Sequence, residues 1–208
     1  MRTVLIGEAV RDFRYLLDRG YSQKSSLNLV VDKYQLRRRE KWVLLRGVYP
    51  KEVSERRKNK IVGLSKAKRL GVDGYNVLIT VEAAIGGDTL IKSDDGIVRD
   101  VRGVFGKYRI NKMTEKVLIM ILKKLRGKTF SIYYDSQVSK SGELAKLTRR
   151  LMNEIGVKGE VCLSKKVDFE LKKFNTVATS DGPVIDSVKN VVDIPGYFAK
   201  KESLLSLE

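Results

Sequence analysis

Three β-type runs in this chain end in aspartate: RLGVD closes on Asp73, TFSIYYD on Asp135 and NTVATSD on Asp181. A turn residue follows each at once, Gly74, Ser136 and Gly182. In an open parallel sheet, ligands bind outside the carboxyl ends of the strands, where the loops converge. Carboxylates gathered there repel one another and resist desolvation, so a bound cation relieves them, and oxygen-only ligation selects Mg²⁺ or Mn²⁺. The chemistry this supports is metal-assisted hydrolysis of a phosphodiester, which needs no side-chain base. Taken singly, each aspartate is read equally well as the cap of a turn or helix. Three at equivalent strand ends favour the metal.

The chain's other residues restrict the alternatives. With no histidine, Ser-His-Asp and Cys-His pairs, His-ligated zinc and an imidazole base are all excluded. The single cysteine, Cys162, permits no disulfide within one chain and reads as a small buried hydrophobe. The formal charge of +17 over 208 residues suits a polyanionic partner, above all nucleic acid, although a solvated basic surface gives the same count. No run approaches the roughly 18 apolar residues of a membrane span, and the N-terminus lacks a signal-peptide pattern. The expectation is a cytoplasmic protein with no membrane partner, compatible with a homo-oligomer.

The elements that must position the aspartates alternate. After Arg69, short β-rich runs are separated by helical segments, which predicts an α/β domain over residues 67–208, a parallel sheet covered by helices. TEKVLIMILKKL is a helix on that sheet begun by Thr114, and SGELAKLTRRLMNEIG is an amphipathic helix ended by Gly156. Asp95-Gly96 between β-type residues suggests a hairpin. Residues 1–66 form a small all-helical domain with three apolar faces: Val10, Phe13 and Leu17; Leu27, Val30, Val31 and Tyr34; Leu44, Leu45 and Val48. Ser22 is placed to cap the second helix, and Pro50 opens a charged connector, KEVSERRKNK. The front is basic, holding 19 Lys/Arg against 7 Asp/Glu before Gly71.

Further residues are candidates for gripping phosphate. Arg37, Arg38 and Arg39 open the third helix, where positive charge opposes the helix dipole unless a polyanion binds. Helix, turn and basic helix is also a helix-turn-helix layout, and Tyr34 and Trp42 beside it read as core. Arg102, Lys107 and Arg109, spaced by Gly103 and Gly106, could hold phosphate, or form a solvated hairpin. Ser139 and Ser141 join the Asp135 strand to a helix N-terminus, where they would meet phosphate or cap the helix.

The stretch Val72-Asp73-Gly74-Tyr75-Asn76-Val77-Leu78, with Ala178-Thr179-Ser180-Asp181 further on, resembles the opening and closing motifs of PIN-like ribonucleases, especially the NYN branch. The whole chain is similar to uncharacterised prokaryotic proteins that join a helical front to such a domain. The resemblance implies an RNA-cutting enzyme with clustered aspartates and Mg²⁺ or Mn²⁺. Asp73 is then the first ligand, Asn76 a polar neighbour orienting ligand or phosphate, Asp135 the central ligand and Asp181 the later one, with Ser180 beside it. The hairpin insertion departs from that pattern, so a further ligand is open among Glu82, Asp95, Asp100 and Asp168. A rival is a catalytically inactive nucleic-acid-binding or regulatory protein acting through its basic front. An aspartyl-phosphate phosphatase is disfavoured, because Tyr75 stands where a second aspartate is needed.

Overall fold

The computed structural model describes residues 2–102, 108–205 and 207, the side chains of residues 2–5 excepted. Four helices form the front: α1 (Arg2–Asp18), α2 (Gln23–Tyr34), α3 (Arg38–Gly47) and α4 (Lys51–Lys58). Ser22 caps α2 by accepting the Ser25 N–H, and Gln35 ends it in the left-handed region. Phe13, Leu17, Val30 and Leu44 bury the apolar faces together, each side chain contributing roughly 1.5–3 kcal/mol relative to exposure. That cluster does not end with the front. It takes in Ile91, Val101 and Leu207, so the helices rest on a small sheet belonging to the following chain.

The main sheet is parallel throughout, in the order β5-β4-β1-β6-β7. Its strands are β1 (Arg69–Asp73), β4 (Thr129–Asp135), β5 (Glu160–Ser164), β6 (Thr176–Ala178) and β7 (Asn190–Val191). One apolar layer joins the sheet to α5 (Gly74–Gly86), α6 (Thr114–Lys124) and α7 (Ser141–Glu154) through Leu78, Leu118, Leu122, Leu144 and Leu151. Another joins it to α8 (Val167–Leu171) and α9 (Gly182–Ser187) through Leu171, Phe174, Val184 and Ile185. Gly71 lies under this second layer: a Cβ there would stand 2.9 Å from the Phe174 ring. The helix–strand alternation therefore yields the expected α/β architecture behind an all-helical front.

Asp95-Gly96 turns a hairpin of β2 (Leu90–Lys92) and β3 (Val98–Asp100), with Gly96 at φ 82. A short strand near the end of the chain, β8 (Leu204–Leu205), pairs with β2 in parallel. The segment read as a connector is α4, and it buries Ser54 and Arg57. Cys162, expected buried, is half-exposed on the edge strand β5.

Candidate active site

Because β4, β1 and β6 are adjacent and parallel, their carboxyl ends open on one edge. Asp73 ends β1, Asp135 ends β4, and Asp181 follows β6 by three residues. Each also caps its own turn. Asp73 accepts the Asn76 N–H at 3.3 Å, Asp135 the Gln137 N–H at 2.8 Å and Asp181 the Val184 N–H at 3.0 Å. The capping and clustering readings are thus compatible, since a cap uses one oxygen of each carboxylate. The second oxygens of Asp135 and Asp181 meet no hydrogen-bond donor among the described residues. The second oxygen of Asp73 accepts the Thr179 hydroxyl at 2.9 Å.

Asp73 is 7% exposed, and burial pushes its acid up to about 7, with the charges of Asp181 and Asp168 adding to the rise against the Thr179 and Asn76 hydrogen bonds. Asp168, exposed in the first turn of α8, is raised too, by partial desolvation first and then by Asp181, with Lys172 opposing and Asp135 adding. Asp73 and Asp168 thus feel neighbouring carboxylate charge beside a cleft of about 440 Å³ whose lining includes Asp73, Asp135, Asp168, Tyr75 and Phe169, while Asp181 stands behind that lining. Three lysines, Lys165, Lys166 and Lys172, stand along it without an ion-pair partner among the described residues.

The donor set has the chemistry for a hard divalent cation: oxygen-only, mutually repelling and partly desolvated. Among the described residues no three such side chains are drawn together as a formed metal site. Loading a cation would require the free oxygens of Asp135 and Asp181 to converge with Asp73 and Asp168.

The other sequence candidates are distributed elsewhere. Asn76 faces the loop after β6, its carbonyl oxygen accepting both the N–H and the hydroxyl of Ser180. Asp95 and Asp100, offered as further ligands, are corrected by their partners. Asp95, fully buried, is gripped by both terminal nitrogens of Arg99 at 2.6 and 2.8 Å, and Asp100 pairs with Arg46 at 3.0 Å. Glu82 is buried among Tyr108, Asn111 and Thr114. Of the four open candidates only Asp168 reaches the cleft.

Among the phosphate candidates, Arg102 turns to the Ile79 carbonyl and to Asp88 on the α5 side, away from the aspartates. Arg109 is exposed and does not line the cleft. Lys107 lies outside the described residues. Lys140, not a serine, occupies the cap position of α7; Ser141 donates to the Ser136 carbonyl, and Ser139 is exposed in the turn. Arg37, Arg38 and Arg39 are exposed at the start of α3, away from the cleft lining. The lysines that do line it were missed, although Lys165 and Lys166 directly follow the end of β5, where the strand-end rule that located the aspartates also applies.

These features define a parallel α/β domain with an acidic strand-end cleft, carried behind a basic helical front. The chain belongs to the family described as domain of unknown function DUF5616, matched over residues 64–197. Residues 5–60 match a second family, protein of unknown function DUF434. The chain is 40% identical over 195 residues to the uncharacterized protein MJ0935 of Methanocaldococcus jannaschii, covering 91% of this chain and 94% of that protein. No solved structure matches. No described helix is long and apolar enough to cross a membrane.

Proposed function

We propose that the chain is a metal-dependent ribonuclease of the PIN-like, NYN type, hydrolysing phosphodiester bonds in cytoplasmic RNA at the Asp73 cleft. The observation that carries the reading is the delivery of Asp73, Asp135 and Asp181 by three adjacent parallel strands to one edge, joined there by Asp168. On this reading these four residues would hold Mg²⁺ or Mn²⁺, and the bound ion would supply a water activated at neutral pH and charge stabilisation at the phosphate. The chain's own groups do the rest. The Thr179 hydroxyl and the backbone N–H of Asn76 fix the Asp73 carboxylate, and the Asn76 side-chain carbonyl fixes the loop that presents Asp181. Lys165, Lys166 and Lys172 neutralise the RNA backbone, the role that the sequence pattern suggests for Arg102, Lys107 and Arg109.

The test is cleavage of a panel of RNAs with Mn²⁺, with EDTA and with Asp73→Asn. The expected result is Mn²⁺-dependent cutting lost in both controls; cutting that persists in excess EDTA overturns the mechanism. One observation favours a second reading, RNA binding without turnover: both oxygens of Asp73 are already hydrogen-bonded. Binding without cleavage under any divalent metal would select it.

A further inference from the structure

The front and α9 are joined by a charge network that is buried at Arg57, Asp95 and Arg99 and surfaces at Asp186. Arg57 on α4 is 5% exposed. It reaches forward to α9, its Nε and one terminal nitrogen binding the two carboxylate oxygens of Asp186 at 2.9 and 2.8 Å. Its other terminal nitrogen approaches Asp95 at 3.4 Å. The same guanidinium packs against Gly182, where a Cβ would come within 2.5 Å of it. Tyr49 lies under both Arg57 and Arg99, at 4.7 and 5.1 Å from the ring centre.

Helix α9 has only six residues, too short to hold itself in water, and Asp181 is its cap. Arg56 and Lys60 also hold the last turn of α9, Arg56 at 3.5 Å from Asp186 and Lys60 by donating to the Ile185 and Asp186 carbonyls at 2.9 and 2.7 Å. Arg57, however, touches both ends, at Asp186 and at Gly182 beside the cap. A planar fork fixed by two carboxylates sets position more tightly than a single ammonium could. We propose that Arg57 is a positioning residue through which the helical front holds α9, and with it the Asp181 carboxylate, in register with Asp73. This rests on reading the Asp73 cleft as the working site.

The full chain carrying Arg57→Met or Arg57→Lys would be compared with wild type by residue-resolved amide hydrogen exchange and by single-turnover cleavage with Mn²⁺. Expected are faster exchange at Asp181, Val184 and Ile185 with the β1 and β4 amides unchanged, and a fall in turnover of about 100-fold, the usual consequence of a misplacement near 1 Å. KM should stay within about threefold, since Arg57 lies off the cleft lining. Lysine should behave like methionine, because the fork and not the charge is required. Unchanged exchange over residues 181–185, or wild-type turnover in Arg57→Met, would overturn the proposal. A wild-type chain that neither binds nor cuts RNA would overturn the site reading instead, while the exchange data still decide whether Arg57 holds α9. Should Arg57→Met fail to fold, Gly182→Ala perturbs the same contact with every charge kept, and it should show the same local exchange. In a double-mutant cycle the two changes should be non-additive; strict additivity would show that the contact carries nothing.

Discussion

Asn76, near the start of α5, accepts two hydrogen bonds from Ser180, one from its backbone N–H at 2.9 Å and one from its hydroxyl at 2.8 Å, across 104 positions of sequence. The two motifs that suggested the function are therefore tied to each other directly. Ser180 is buried, so removing its acceptor strands an amide and a hydroxyl. Asn76→Ala should cost about 1–3 kcal/mol, read from urea denaturation, and should reduce cleavage. Asn76→Asp keeps an acceptor at the same place and should be the milder change in stability. Equal losses of cleavage in the two variants, with stability restored only in Asn76→Asp, would mean that Asn76 also acts through its side-chain amide nitrogen.

Asp73 makes stability depend on pH in a definite direction. Its acid is raised from 3.8 to about 7 in the folded chain, so between those values the native state holds a proton that the unfolded state has lost. Stability then falls as pH rises through this window, and the penalty is complete above it. In metal-free buffer Asp73→Asn should be more stable than wild type at pH 8, by an amount of order a few kcal/mol, and should lose the advantage toward pH 4. Asp193, half-buried and raised by desolvation to about 6, contributes with the same sign and should leave a smaller slope in the variant. Denaturation midpoints across pH 4 to 8 check this, and a wild-type slope retained in full by Asp73→Asn would show that Asp73 is already ionised in the fold.

What the sequence made legible follows from the range of the interactions involved. The strands ending at Asp73 and Asp135 could be read because a β-type run and the turn after it are local, and the parallel order follows from the helices between them. Ser22, Gly96 and Gly156 were readable for the same reason. Asp95 was not: its main partner, Arg99, lies only four residues on, but as a residue beside a hairpin glycine it looks like any exposed acid, and only the tertiary packing that brings α4 and Arg57 against it buries the pair. Asp168 could not be chosen over Asp95 and Asp100 for the same cause, since ion pairing and ligation draw on identical side chains. The β8 strand depends on pairing with β2 from the far end of the chain, and two residues carry no periodicity.

Asp95 and Asp168 should consequently respond in opposite ways. Asp95→Asn leaves Arg99 and Arg57 buried without their shared carboxylate, and losing one member of a buried pair typically costs about 3–5 kcal/mol. The rise in melting temperature on adding Mn²⁺ should nevertheless persist, because Asp95 does not face the cleft. Asp168→Asn, on a partly exposed short helix, should change stability little and shrink the Mn²⁺-induced rise. Thermal melts with and without Mn²⁺ on the two variants check both halves. A Mn²⁺ shift lost in Asp95→Asn and kept in Asp168→Asn would return the metal to the hairpin.

Two basic sets compete for the RNA backbone, and salt separates them from each other and from the chemistry. Lys165, Lys166 and Lys172 line the cleft, whereas Arg37, Arg38 and Arg39 are exposed on the front. Each phosphate contact released from a single strand lowers the slope of log affinity against log salt by about 0.7, so three contacts amount to about 2. Binding should be measured in Asp135→Asn, where turnover is expected to be lost and the strand stays whole during titration. Replacing the three lysines by alanine should flatten the slope by about 2 and, with Asp135 restored, should lower single-turnover cleavage at subsaturating protein. Replacing the three arginines should flatten the slope by a similar amount if the front also carries the strand, yet leave cleavage at saturation unchanged, because no member of that set faces the aspartates. A flat response to the arginines alone would confine RNA to the cleft and leave the front with its bracing role through Arg57. A flat response to the lysines alone would move the RNA to the front and count against chemistry at Asp73.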